Sequence, residues 1–140
     1  MKKIFITLLF IIGFFGVKAQ QKTENDSEYL KDKNKIYTAV QKQPEFEGGK
    51  EQLYRFISKT LIYPAEARNN NTQGTVVVVF VVEIDGSLSN VKVWRGIGDG
   101  CDEEAVRVMR ACPKWIPGKQ NGEPVRSIFT IPISFTLDSN

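Results

Sequence analysis

Few residues of this 140-residue chain belong to the types that catalyse reactions. The chain contains no His, so it lacks both the usual general base of Ser and Cys hydrolases and the commonest neutral metal ligand. Its two Cys residues cannot complete a zinc site by themselves. The carboxylates of Asp102, Glu103 and Glu104 are adjacent in sequence, so they fan around a helix and do not form a paired acid and base. We therefore expect no enzyme activity, no metal and no cofactor.

The glycine-rich segment at 96–100 lies between a predicted strand and a predicted helix, which is the place of a dinucleotide-binding loop. That fingerprint, G-x-G-x-x-G, needs a third Gly where this chain has Cys101. The preceding strand also belongs to a hairpin and not to a parallel strand-helix-strand unit. We interpret the segment as a tight connection.

Cys101 and Cys112 flank the helix that follows this segment. A helix of that length separates them by ~16 Å, whereas a disulfide needs Cα atoms within roughly 7 Å, so no bridge within the chain is expected. Cys112 is interpreted as a core residue. Two interpretations of Cys101 stay open. It is either a small buried residue or a thiol with a lowered pKa that pairs with another molecule.

The chemistry that the sequence does offer is that of a backbone edge. Residues 125–137 alternate between apolar and more polar positions, as in a strand with one buried face. Pro132 lies inside this strand, and a proline cannot donate to a sheet ladder from a central position. The strand is thus predicted to have a free edge, where an extended peptide can add as another strand. The candidate peptide-binding residues are Arg126, Ile128, Thr130, Ile131, Pro132, Ile133, Ser134 and Thr136.

Turn residues and hydrophobic periodicity predict the elements that hold this strand. These are helices at 50–59, 64–68 and 102–112, and strands at 74–84, 88–95 and 125–137. The strand at 74–84 is apolar on both faces, so it should be central and covered on both sides. Trp115 and Pro117 form an aromatic and proline corner after the last helix. This corner is interpreted either as packing or as a further peptide contact.

The first 19 residues look like a secretion leader, in which Lys2 and Lys3 precede an apolar run at 4–17. The run is about 14 residues long, below the ~20 that a spanning helix needs. We expect cleavage between Ala19 and Gln20, with an uncleaved membrane anchor as the alternative. Without the three Lys of the leader, the 19 basic residues become 16, equal to the 16 acidic ones. A neutral mature protein gives no reason to expect nucleic acid as a partner.

Residues 20–43 have the mixed, polar composition of a solvated tether. A short helix that includes Tyr29, Leu30, Ile36, Tyr37 and Val40 is the alternative for this segment. The segment precedes a predicted N-terminal helical extension at 44–62 and a main domain at 63–138.

The main domain resembles the C-terminal domain of TonB, the periplasmic energy transducer of Gram-negative bacteria. The residues of the resemblance are Tyr63-Pro64 with Ala67, Gly74 before Val76, Val78 and Phe80, Asp85-Gly86, Val91 and Val93, Cys101-Asp102 with Ala105, Trp115 with Pro117-Gly118, Gly122, and Ile131-Pro132-Ile133-Ser134-Phe135. Pro44-Glu45-Phe46 and Gly48-Gly49 with the following helix are similar to an extension found in many Bacteroidetes members of the family.

The resemblance implies an α+β fold with a small three-stranded antiparallel sheet backed by helices. It also implies a periplasmic protein that grips the TonB-box peptide of an outer-membrane receptor by strand addition to residues 125–137. Energy from an inner-membrane proton-motive complex would then support transport across the outer membrane.

The chain departs from a full transducer because it has no clear spanning helix and no Pro-rich spacer. If the leader is cleaved, nothing in the chain connects the domain to a motor. A soluble periplasmic adaptor, or an envelope module that forms a homodimer through the same edge, therefore remains the alternative. An inner-membrane anchored protein facing the periplasm is the alternative location.

Overall fold

The computed structural model describes residues 33–138. The predicted leader, its cleavage point and most of the predicted tether lie outside the described residues. The elements from Ile36 onward belong to one unit. In chain order they are β1 (Ile36–Tyr37), α1 (Lys50–Thr60), α2 (Ala65–Asn69), β2 (Gly74–Val82), β3 (Leu88–Arg95), α3 (Cys101–Arg110), β4 (Gly118–Gln120) and β5 (Glu123–Phe135).

The sheet has five strands in the described residues, with the order β1-β5-β2-β3 and with β4 paired to β5. The predicted α+β class is confirmed, but the expected three-stranded antiparallel sheet is too small. The three expected strands are β2, β3 and β5, which pair antiparallel. β4 adds an antiparallel strand of three residues, and β1 adds a parallel strand of two. Both are too short to show the two-residue periodicity that predicts strands.

β1 corrects the prediction that residues 20–43 are only a solvated tether. Ile36 pairs with Arg126 of β5, and Tyr37 pairs with Ser127. Further along the chain, the backbones of Lys42 and Lys119 exchange hydrogen bonds of 3.1 and 2.9 Å. The last part of the segment therefore belongs to the sheet.

β4 and β5 are joined by a tight turn at Asn121 and Gly122. Both residues have positive φ angles, 52° and 77°. Asn-Gly is the strongest short-range signal for a two-residue hairpin, because both residues tolerate this backbone conformation. This turn was the one local signal in the sequence for β4, which is otherwise too short to be predicted.

β2 is central, as predicted, because it lies between β5 and β3. Its helix-facing side chains are fully buried, namely Val76, Val78, Phe80 and Val82. On the outer face, Val81 is buried, with 4% of its surface exposed, whereas Val77 and Val79 are half-buried and Thr75 is exposed. The predicted coverage of the outer face therefore holds at Val81 but not along the whole strand.

The helices and the extension share one core with the sheet. α1 buries Leu53 and Ile57, and α3 buries Ala105, Val108 and Met109. Phe46, which precedes α1, is buried in the same cluster of residues. The predicted boundary between an extension at 44–62 and a domain at 63–138 therefore does not separate two folding units.

The acidic first turn of α3 binds backbone groups of the preceding segments. The Asp102 carboxylate accepts hydrogen bonds from the amides of Ile97 and Gly98, at 2.8 and 3.3 Å. Glu104 accepts one from the amide of Ile62 at 2.6 Å and forms an ion pair with Arg107 at 2.5 Å. The amides at 97 and 98 are thus already occupied by a carboxylate. The segment at 96–100 is a tight connection, as interpreted, and not an anion-binding loop.

Both cysteines are free thiols. Cys101 is fully buried in the core, so the interpretation as a small buried residue is correct. Burial raises the pKa of its thiol, and the nearby carboxylates of Asp102, Asp99 and Glu103 raise it further. The alternative of a Cys101 thiol with a lowered pKa is therefore wrong. Cys112 is half-buried, and burial raises its pKa to about 11, against a smaller lowering effect of the Trp115 side chain.

Candidate peptide-binding edge and groove

β5 has one buried and one exposed face, in the alternation that its sequence predicts. Val125, Ser127, Ile131, Ile133 and Phe135 are buried. The intervening side chains from 128 to 136 are exposed, namely Ile128, Thr130, Pro132, Ser134 and Thr136. The exposed set contains no cationic or anionic group, so any recognition along these positions depends on the backbone and on apolar contacts.

The position of Pro132 determines which backbone groups of β5 point away from β2. Residues 127–135 pair without interruption with residues 82–74 of β2, and Pro132 lies opposite Val77. In an antiparallel pair, residues alternate between those bonded to the partner strand and those whose N–H and C=O both point the other way. Pro132 has no N–H, so it occupies a position of the second kind. By the same alternation, the N–H and C=O groups of Ile128, Thr130 and Ser134 point away from β2.

The outward side of β5 is covered only at its beginning. β4 pairs with residues 123–125, and β1 pairs with Arg126 and Ser127. Because the N–H and C=O of Ser127 face β2, its parallel pairing with Tyr37 places a hydrogen bond from the amide of Ile128 to the carbonyl of Tyr37. Beyond that amide, no other strand of the described residues pairs with this side. We call residues 128–134 of β5 the open edge.

The structure changes the role of four predicted peptide-binding residues. The backbone of Arg126 faces β1, and its guanidinium binds the Glu83 carboxylate at 2.7 and 3.0 Å, so it is not part of the open edge. Ile131 and Ile133 have buried side chains and lie at positions whose amides face β2. Thr136 lies just beyond the end of β5. The residues that remain on the open edge are Ile128, Thr130, Pro132 and Ser134.

The Glu83–Arg126 pair ties β5 to the β2–β3 hairpin on the outer face of the sheet. Each side chain is 24% exposed. The hydrogen bond from Arg126 is the main reason that the pKa of Glu83 lies below its usual value, and a second hydrogen bond from Ser89 contributes. The same pair raises the pKa of Arg126. The ion pair holds the part of β5 that precedes the open edge against the end of β2.

Trp115 is primarily a packing residue, with 4% of its surface exposed. Its ring contacts those of Phe80 at 5.3 Å, Phe129 at 5.6 Å and Phe46 at 5.7 Å between centroids. Such edge-to-face contacts stabilise aromatic clusters beyond the burial of area. Of the predicted corner, Trp115 also borders the groove described next, whereas Pro117 does not.

A groove of about 370 Å³ runs beside the open edge. Phe129, Thr130, Ile131 and Pro132 of β5 line one side, and Trp115 also lines the groove. The other side comes from the extension and the first turns of α1, namely Pro44, Glu45, Phe46, Gly49, Lys50, Leu53 and Tyr54. This volume is at the lower end of the range for ligand pockets. The groove lining is mainly apolar, with Lys50 and Glu45 as its charged members.

The groove was not predicted, because it depends on how the extension returns to the sheet. The amide of Glu45 donates to the carbonyl of Ile116 at 3.0 Å, and the amide of Ile116 donates back at 2.8 Å. This two-residue bridge fixes Phe46 against Trp115. Long-range pairing of this kind leaves no periodic pattern in the sequence. The local signals here were the turn residues Pro44 and Gly48-Gly49, which predict a turn before α1.

The described residues show neither a metal site nor a membrane-spanning helix. Within 33–138, no group of His, Cys, Asp and Glu side chains is arranged to hold a metal ion. In the same part of the chain, no helix has the length and apolarity needed to span a bilayer.

A comparison with known protein families identifies the family of this chain. The sequence profile of the Gram-negative bacterial TonB protein C-terminal family matches residues 59–137, which is more than half of the chain. The protein belongs to this family of TonB C-terminal domains. The family is located in the cell envelope and generally interacts with outer-membrane receptors.

Two solved structures are similar to the chain, both of them solution NMR structures of the C-terminal domain of Helicobacter pylori TonB. One is 23% identical over 64% of this chain and 81% of the other, with a TM-score of 0.48. The second is 24% identical over 64% of this chain and 95% of the other, with the same TM-score. No curated protein sequence matched the chain.

Proposed function

We propose that this protein binds an extended peptide, the TonB-box segment of an outer-membrane receptor, by strand addition to the open edge. The observation that supports this proposal is the row of backbone groups left unpaired by the other strands, namely the carbonyl of Ile128 and both groups of Thr130 and Ser134. An unpaired edge of a sheet is a template for another strand, and the main-chain hydrogen bonds supply affinity. Pro132 removes one donor, so the peptide pairs in two short stretches around it.

The binding would take place in the periplasm, where the TonB-box segments of outer-membrane receptors are accessible, and would support energy-dependent transport. Membership of the family supports this assignment. Direct force transmission also needs a connection to the inner-membrane proton-motive complex. With a cleaved leader the protein acts as a soluble adaptor, and with an uncleaved one it acts as a short transducer.

Proline substitution on the open edge tests the proposal. Thr130→Pro and Ser134→Pro each remove one outward-pointing donor without removing a bond to β2. Each should weaken binding of a synthetic TonB-box peptide by about 0.5–1.5 kcal/mol, or roughly two- to twelvefold in Kd. Calorimetry measures the affinity, and circular dichroism confirms the fold.

The matched controls are Thr130→Ala and Ser134→Ala, which change the side chains but keep the amides. The proposal predicts that the alanine variants bind more tightly than the corresponding proline variants. Equal affinities in all four variants, with the fold intact, would contradict binding at this edge. A concentration-dependent dimer that the peptide cannot enter would instead show that the edge pairs with a second copy of the chain.

A further inference from the structure

We propose that the extension selects which peptides bind to the open edge. Residues 44–54 form one wall of the groove that receives peptide side chains. The groove requires apolar residues at two peptide positions, i and i+2. This inference rests on the proposed function, since it concerns the peptide that adds to the open edge. It assigns a selective role to a segment outside the last strand.

The geometry of a sheet determines which peptide side chains enter the groove. Residues opposite one another in neighbouring strands place their side chains on the same face of the sheet. Peptide residues opposite Phe129 and Ile131 therefore point to the helix side, where those two side chains lie. Two such residues are about 6.7 Å apart along the strand. The residue between them, opposite Thr130, points to the solvent-exposed face and tolerates polar side chains.

The lining of the groove favours apolar groups at these two positions. Phe46 is buried, with its ring 5.9 Å from that of Phe56 between centroids, so its side of the groove is held in place by packing. Tyr54 is 37% exposed and presents its ring at the mouth. The Lys50 ammonium lies 5.8 Å from the centroid of the Tyr54 ring. This cation–π contact restricts the movement of the Tyr54 ring, which a docked peptide side chain would contact.

The open edge identifies the occupant as an extended chain. Phe129, Thr130, Ile131 and Pro132 belong both to the strand with the free edge and to the rim of the groove. A compact apolar molecule in the groove would leave the outward amide of Thr130 unpaired, whereas an added strand pairs it and fills the groove at the same time. β1 already pairs along the same side and ends at Tyr37, opposite Ser127, so the outward positions from Thr130 onward are unpaired among the described residues.

An alanine scan of the peptide, carried out against two protein variants, tests the inference. The probe is a ten-residue synthetic TonB-box peptide that binds the wild-type protein, together with its single-alanine derivatives. Tyr54→Ala removes part of the groove wall. Arg55→Ala is the matched control, because Arg55 is its exposed neighbour on α1 and does not line the groove.

With the wild-type protein and with Arg55→Ala, alanine at two positions spaced by two should weaken binding about tenfold each, since each change removes a buried apolar side chain. With Tyr54→Ala, the same peptide changes should cost about threefold or less at one or both positions. Alanine at the other peptide positions should change the affinity by the same factor in all three proteins.

The outcomes separate this inference from the proposed function. If Thr130→Pro weakens peptide binding but the scan shows no spacing of two, or the same losses in Tyr54→Ala and wild type, the groove does not select the peptide although the edge binds it. If Thr130→Pro leaves peptide binding unchanged, or no TonB-box peptide binds at all, the proposed function fails and this inference fails with it. A homodimer that Tyr54→Ala dissociates would assign the groove to a second copy of the chain and overturn the inference.

Discussion

Pro132 fixes the orientation of the whole candidate edge, although it forms no hydrogen bond through its nitrogen. It lies within nine consecutive pairs between β5 and β2, and the missing N–H is tolerated only on the outward side. From that one residue, the outward direction of Ile128, Thr130 and Ser134 follows. Proline is also one of the residues with which natural proteins protect exposed edges from uncontrolled pairing.

Replacing Pro132 by Val should restore an outward donor and leave the fold intact. We expect a change in the free energy of unfolding within about 0.5 kcal/mol, as for surface positions generally. Peptide affinity should rise two- to tenfold, because one more hydrogen bond becomes available, and self-association should increase. Denaturant unfolding, calorimetry and mass measurement against concentration check these results. A loss of more than 2 kcal/mol of stability would mean that Pro132 does not face outward.

The Glu83–Arg126 pair predicts a specific pH dependence. The pKa of Glu83 is lowered from 4.5 in the folded protein, mainly by the hydrogen bond from Arg126. A group with a depressed folded-state pKa adds stability above its unfolded pKa, and this stability is lost as the pH falls through the folded value. For a partly exposed pair we expect about 0.5–1 kcal/mol.

Unfolding of the wild type and of Glu83→Gln should therefore be compared from pH 7 to pH 2.5. The difference in unfolding free energy should be constant above pH 4.5 and should shrink towards zero below it. A difference that stays the same throughout this range would show that the charge of Glu83 does not stabilise the fold. Because only the difference is interpreted, the titration of other carboxylates cancels.

At the scale of elements, long periodic segments were predictable and short paired segments were not. Both β3 and the start of β2 were predicted at their observed residues, and α1 differs from its predicted end by one residue. Alternating apolar positions, the apolar stripe of α1 and the Asp85-Gly86 turn explain this success. β1 has two residues and β4 has three, so pairing with β5 and not periodicity determines their conformation. Only the Asn121-Gly122 turn was a usable signal for β4.

The candidate site was likewise predictable only in part. The exposed alternation of β5 and its free edge followed from its own residues, including Pro132. The loss of Arg126 from that edge and the groove beside it did not, because they depend on β1 and on the bridge between Glu45 and Ile116. Pairing between segments 70 or more residues apart is not encoded in any local pattern.

The extension should behave as part of the fold and not as an appendage. Phe46 is 8% exposed and contacts the rings of Phe56 and Trp115. Phe46→Ala should lower the free energy of unfolding by about 3 kcal/mol, the usual cost of removing a buried Phe. Glu47→Ala, at the exposed neighbouring position, is the control and should change stability by less than about 0.5 kcal/mol. Similar small effects of both variants in denaturant unfolding would place the extension outside the core.

At the scale of the whole molecule, the charge and the N-terminus determine how the domain can act. The predicted mature chain is neutral, so long-range attraction does not guide its partner. Affinity must then come from backbone pairing and apolar contact, which are the two properties of the open edge and the groove. Recognition of this kind should depend little on salt.

The predicted cleavage determines whether the protein can transmit force. We expect the native protein to have the intact mass of a chain that starts at Gln20 and to be found in the soluble periplasmic fraction. Mass spectrometry of the fractionated envelope checks this expectation. A full-length chain in the inner membrane would contradict cleavage and favour a short energy transducer.

Amide hydrogen exchange tests the central claim most directly. In the free protein, the outward amides of Thr130 and Ser134 should exchange quickly, whereas those of Phe129, Ile131 and Ile133 are bonded to β2 and should exchange slowly. Saturation with a TonB-box peptide should slow exchange at the two outward amides and leave the other three slow. A peptide that binds while these two amides continue to exchange at their free rates would contradict strand addition at the open edge.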